Sequence, residues 1–126
     1  MSGFTTLGDH DLRFINLVAS RRFGGVDRPA PPVGLDEALA SAKGPTPFTR
    51  AASLAGELLS RRVFVTSPLQ TALLAVCCQL ELEGYELLAP QGVAAGMVRD
   101  LASGRVDVDT TARWLEDRAV LTRFGA

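Results

Sequence analysis

Apolar residues recur along this chain mostly three and four positions apart, the spacing of helices with one buried face. The first such stretch spans about Asp9 to Arg22, with Leu12, Ile15, Leu17 and Val18 on its apolar side. Asp9 or Asp11 suits the electropositive start of that helix. Phe23-Gly24-Gly25 stops it, since glycine accepts the left-handed backbone of a helix end. Three prolines within residues 29–32 then predict an extended crossing, not helix. A short helix follows over about Gly34 to Ala42, with Leu35, Ala38, Leu39 and Ala42 in helical register, and Lys43-Gly44-Pro45 ends it. Thr46-Pro47 joins an N-cap residue to a proline at the first helical position. That start predicts a helix to about Ser60, with Ala51, Leu54, Ala55, Leu58 and Leu59 inward.

Ser67-Pro68 repeats the same start. The helix from Pro68 to about Glu83 is apolar nearly all round, so it is expected at the centre, surrounded by others. Gly84 stops it, and Tyr85 to Leu88 reads as a brief extended piece. Pro90 to Ala102 is the next helix, with Val93, Ala94, Met97, Val98 and Leu101 inward. Asp107 or Asp109 can cap a last helix that carries Ala112, Trp114 and Leu115. No pattern marks Ala119 to Ala126. That tail and residues 1–8 are expected to be disordered or loosely packed. The sum is a single domain over residues 1–126, all-α, a compact bundle of about six helices around a central apolar helix.

Composition narrows the class. The chain has 126 residues, 47% hydrophobic and 21% charged, which excludes disorder as the main state. That length suits one domain that needs neither disulfides nor a metal for its core. A net charge of −1 argues against a DNA-binding protein. Of the 13 cationic side chains only Lys43 is lysine, which reads as GC-rich coding bias and not as phosphate recognition. No uncharged apolar run reaches the roughly eighteen residues of a membrane span. The N-terminus lacks the basic and apolar regions of a signal peptide, so a cytoplasmic protein with no membrane contact is expected.

Cys77 and Cys78 are adjacent, point about 100° apart on a helix, and read as small buried hydrophobes. No spacing suits zinc, because His10 is the one histidine and lies far off in sequence. No metal or cofactor is expected. A Cys–His nucleophile pair would need His10 folded onto Cys77 or Cys78. His10, placed before the first helix, is the only side chain that titrates near neutrality unperturbed. It and Arg62 are minor catalytic candidates.

Three segments carry a family likeness: GLDEALASAKGP at 34–45, TALLAVCCQLELEGYEL at 71–87 and LASGRVDVDTTARWLE at 101–116. In their order and spacing, from Leu12 to Glu116, the chain resembles the Doc (death-on-curing) branch of the Fic family. The resemblance implies a helical fold whose chemistry sits in one motif, H-x-F-x-(D/E)-G-N-x-R, at the start of the central helix. In that family the histidine is the general base and the acidic residue holds magnesium. The Gly-Asn backbone and the arginine hold nucleotide phosphates, and the product is a phosphorylated or nucleotidylated protein.

Here the aligned segment is Arg62-Val63-Phe64-Val65-Thr66-Ser67-Pro68-Leu69-Gln70, and only Phe64, the structural position, survives. Arg62 replaces the base and stays protonated. Thr66 replaces the acid and offers a divalent cation no charge. Ser67-Pro68 replaces Gly-Asn, and the proline deletes an N–H from the anion site. Gln70 cannot neutralise a phosphate as the arginine would. General-base catalysis alone is worth about 10²–10⁴-fold, so loss of all three elements should abolish the family reaction.

What remains at this helix start is Arg62, Thr66, Ser67 and Gln70, a set suited to a small anion or a carboxylate-bearing ligand. The plainer alternative is that Ser67 merely caps the helix and Arg62 is solvated. The favoured function is a catalytically degenerate module that binds a protein or peptide, in a toxin–antitoxin-like pair or as an accessory to another enzyme. The alternative is a repurposed small enzyme of a biosynthetic pathway, modifying a peptide or metabolite in the former nucleotide cleft. A small-molecule ligand is possible, and homo-oligomers are open because domains of this family often self-associate.

Overall fold

In the computed structural model, which describes residues 6–122, three helices begin where a side chain serves a backbone N–H at the helix start. The order is α1 (Asp9–Phe23), α2 (Leu35–Ser41), α3 (Pro47–Ser60), α4 (Pro68–Leu82), β1 (Tyr85–Leu87), α5 (Gln91–Ser103), α6 (Val108–Arg118) and β2 (Ala119–Leu121). At the start of α1 the Gly8 N–H donates to Asp11 Oδ2 at 2.8 Å. At α3 the Thr49 N–H donates to Thr46 Oγ1 at 3.1 Å. At α6 the Thr110 N–H donates to Asp107 Oδ1 at 2.8 Å. That bond holds the Asp107 carboxyl below its ordinary range. Each cap satisfies a donor that the helix itself cannot. Gly104 closes α5 with φ 80°, a conformation costly for any residue with a Cβ.

The architecture is all-α, with six helices and one two-stranded antiparallel sheet among the described residues. The apolar helix α4 is central as expected, packing on α1, α3, α5 and β1, and α3 shares that place, packing on α2, α4, α5 and α6. Small side chains explain the pairing. Ala51, Ala52 and Ala55 of α3 and Ala72 and Ala75 of α4 are fully buried, and alanine lets backbones approach closely. One side of the core gathers Leu12, Ile15, Leu35, Leu54, Leu58 and Phe64. The other gathers Val76, Leu80, Met97, Val98 and Leu115. Burying each large aliphatic side chain contributes roughly 1.5–3 kcal/mol.

Several expectations need correction. On α1 the inward face is Leu12, Ile15, Asn16, Ala19 and Ser20; Leu17 is half-buried and Val18 exposed. At 100° per residue only the former set shares a side. Val93 of α5, expected inward, is 46% exposed. The ends are tied down as far as they are described. Leu7 is buried, and its N–H donates to Gln79 Oε1 at 3.0 Å. β2 pairs with β1, Tyr85 opposite Leu121 and Leu87 opposite Ala119. Flanking bonds from Leu88 N to Arg118 O (2.8 Å) and from Thr122 N to Gly84 O (2.9 Å) extend the ladder. A three-residue strand has no periodicity to detect, so only its partner reveals it. The remainder of both expected loose ends, residues 1–5 and 123–126, lies outside the described residues. No helix among the described residues is long and apolar enough to cross a membrane.

Candidate functional site

Residues 61–67 join α3 to α4, and the backbone there is strained at two places. Arg62 (φ 51°) and Ser67 (φ 49°) both adopt the left-handed region without being glycine. Each costs on the order of 1–2 kcal/mol. Between them Val63 and Phe64 plunge into the core, while Val65 is 71% exposed. The Val63 N–H donates to Leu58 O at 3.1 Å, and Val63 O accepts from Val33 N at 3.0 Å. The proline-rich crossing therefore runs alongside this segment.

Two buried polar side chains hold the turn. Asn16 Nδ2 donates to Thr66 O at 2.9 Å and approaches Thr71 Oγ1 at 3.0 Å. Thr71 Oγ1 donates to Ser67 O at 2.7 Å. The Asn16 amide thus serves the half-buried Thr66 carbonyl, and the Thr71 hydroxyl adds a second bond to the Ser67 carbonyl, which also accepts the Thr71 N–H at 3.0 Å. Reading the sequence for chemistry missed both residues. The available signals were an amide on the same face as Leu12, Ile15 and Ala19, and a hydroxyl four residues after Ser67.

Ser67 does not cap α4 with its side chain, contrary to the plainer reading of Ser67-Pro68. It faces the end of α1 instead. A Cβ on Gly24 would stand 2.8 Å from Ser67 Oγ and 3.0 Å from Ser20 O, so only glycine allows this approach.

The four binding candidates separate in space. Arg62 lines a groove of about 450 Å³ with Leu59, Phe64, Val65, Pro68 and Ala102. Gln70 faces a smaller hollow of about 60 Å³ beside Leu73, Val98 and Arg99. Thr66 and Ser67 turn towards Gly24. The groove has an apolar wall and one guanidinium, which does not take up protons.

His10 is the second residue of α1, inside the helix and not before it, and it is exposed. The helix carries it about 20 Å from Gly24, at 1.5 Å per residue. Both thiols are half-buried. Burial first, then Cys78 and Glu81, pushes Cys77 up to about 11. Burial, then Glu81 and Asp11, pushes Cys78 up as well. The thiolate is the nucleophile, so neither cysteine suits that role near neutrality. Among the described residues no group of three or more His, Cys, Asp or Glu side chains could hold a metal ion.

No family model matches this chain, nor does any curated protein or solved structure.

A second polar cluster sits at the far end of α4. Arg50 Nε donates to Glu83 Oε1 at 3.1 Å, and Arg50 Nη1 to Gly44 O at 3.0 Å. Gln79 Nε2 donates to Glu83 Oε2 at 2.9 Å, while its Oε1 takes the Leu7 N–H. A hollow of about 150 Å³ with Leu7, Leu39 and Leu54 in its wall lies beside it. The sequence reading missed this cluster too. Its groups satisfy one another and tie Leu7, Gly44 and Arg50 of α3 to the end of α4, which is structural work.

Proposed function

We propose that this chain is a catalytically degenerate Fic/Doc-like module that docks a protein or peptide segment at the Arg62 groove and transfers no nucleotidyl or phosphoryl group. The observation that carries this reading is the groove's lining: Leu59, Phe64, Val65 and Pro68 around a single guanidinium. Such a surface suits a segment that presents an apolar side chain next to a carboxylate, which Arg62 would take by a charge-assisted bond. Val65, 71% exposed beside it, would be covered on docking. The backbone at Ser67 supports the alignment with the family motif. Ser67 stands at the motif's glycine and holds φ 49°, a conformation that glycine adopts without strain. Phe64, the one surviving motif residue, is 3% exposed, as a structural position should be. Strain kept next to an exposed apolar surface is common where binding occurs. The module would act in the cytoplasm, in a toxin–antitoxin-like pair or beside another enzyme.

One observation favours the second reading, a repurposed biosynthetic enzyme. A volume of about 450 Å³ falls in the range of roughly 300–1,000 Å³ that holds small ligands. Affinity purification from the native host, with Arg62→Glu in parallel and masses of all retained species, separates the two. The binding module predicts a defined protein or peptide lost from Arg62→Glu, and no heat from magnesium-ATP in calorimetry. Magnesium-dependent ATP binding, or a partner held equally by Arg62→Glu, would overturn it. A retained metabolite lost from Arg62→Glu would instead establish the enzyme reading.

A further inference from the structure

A groove on another face has the opposite chemistry. Between α5 and α6 lies a hollow of about 250 Å³ whose apolar lining is Val93, Met97, Val106 and Trp114; Gly96, Asp100, Thr110 and Thr111 complete it. Nothing among the described residues fills it. A Cβ built on Gly96 would meet no atom within 4 Å. Val93 is 46% exposed because this space is open beside it.

Asp100 sets the polarity of the groove. Its backbone carbonyl, not its carboxylate, accepts the bonds from Ser103 Oγ at 3.1 Å and Arg105 N at 3.0 Å. No ion pair or hydrogen bond among the described residues engages the carboxylate. A wholly apolar partner would bury that charge unpaired, which is expensive. A partner bringing a cation would not. Size is compatible with that occupant: a hollow of about 250 Å³ accommodates one long side chain. Arg118 Cζ lies 4.4 Å from the Trp114 ring centroid, so that ring already has its cation, and what it offers an incoming side chain is apolar surface for the stem.

We propose that the α5–α6 groove receives a lysine or arginine side chain of a protein partner, its aliphatic stem along Val93, Met97 and Trp114 and its cation on the Asp100 carboxylate. Lysine and arginine are built for this division, with an apolar stem and a charged head. The site stands apart from the Arg62 groove and selects the opposite charge.

The chain has one tryptophan, so a single indole N–H resonance reports the site. The probes are a blocked alanine pentapeptide with a central arginine and the same peptide with norleucine there. The arginine peptide should shift the Trp114 indole signal saturably at low-millimolar concentration, and norleucine should bind at least about tenfold more weakly, the worth of a charge-assisted bond. Asp100→Asn should remove that preference, and Gly96→Leu should block both peptides, with thermal unfolding confirming that both variants fold. No saturable shift in the native protein, equal binding of the norleucine peptide, or an unchanged preference in Asp100→Asn would overturn the proposal.

Discussion

The two ends of α4 handle polarity in opposite ways. At its C-terminal end Glu83 receives Arg50 and Gln79, Gln79 receives Leu7, and Arg50 also reaches Gly44. At its N-terminal end Ser67 is left-handed, its side chain caps nothing, and Val65 stands in solvent. One end is saturated by the chain's own groups. The other keeps strain and uncovered apolar surface. Polar groups that exhaust each other in the interior hold segments together. Strained backbone beside an open groove has capacity left for something else.

The contrast can be broken most severely at the saturated end. Glu83→Ala leaves the Arg50 guanidinium, whose side chain is 10% exposed, without its carboxylate. The expected loss is about 3–5 kcal/mol in chemical denaturation. A loss below about 1 kcal/mol would mean the cluster behaves like a surface pair. At the other end Asn16→Ala should cost less, about 1–3 kcal/mol, by leaving Thr66 O without its donor and Thr71 Oγ1 with only its bond to Ser67 O. The same denaturation assay measures it, and a neutral result would remove Asn16 as the anchor of the turn. Ser67→Gly should change the sign. It relieves left-handed strain and should stabilise by up to about 1 kcal/mol. If it destabilises instead, the hydroxyl packing on Gly24 outweighs the strain.

The smallest effects belong to exposed charges. Arg62→Gln should alter stability by no more than about 0.5 kcal/mol, while weakening any carboxylate-bearing segment docked there. Asp107 provides a control far from α4. Its carboxyl is held below the ordinary range by the Thr110 N–H. Its contribution is therefore present above the unfolded carboxyl value and lost as pH falls through the folded one. Asp107→Asn should flatten that part of the stability–pH curve, and an unchanged curve would show that the cap bond does not matter.

How far these features could be read in advance differs by region. α3 was legible to the residue, because Thr46 and Pro47 specify its start within one turn. The same rule placed Pro68 as the first residue of α4 but misjudged Ser67. There the local preference for a side-chain cap lost to Asn16 and Thr71, which hold the carbonyls of Thr66 and Ser67 in another arrangement. Arg62, Thr66, Ser67 and Gln70 fall within one short stretch of sequence, yet the fold sends them to three surroundings. Two left-handed residues and the 100° step of the helix turn neighbours apart. Asp100 and Trp114 had the reverse fate. They lie on successive helices with no pattern in the sequence linking them, and the packing of α5 against α6 brings them to one groove.

The amino-acid sequence by itself determined the helices and the side-chain caps at Thr46 and Asp107. Those depend on side chains within three or four residues of one another. The tertiary structure decided which polar groups are buried together, that residues 119–121 form a strand, and where the surface stays open. Those outcomes depend on contacts between segments far apart in the chain, whose relative positions only the packing of α3 and α4 sets.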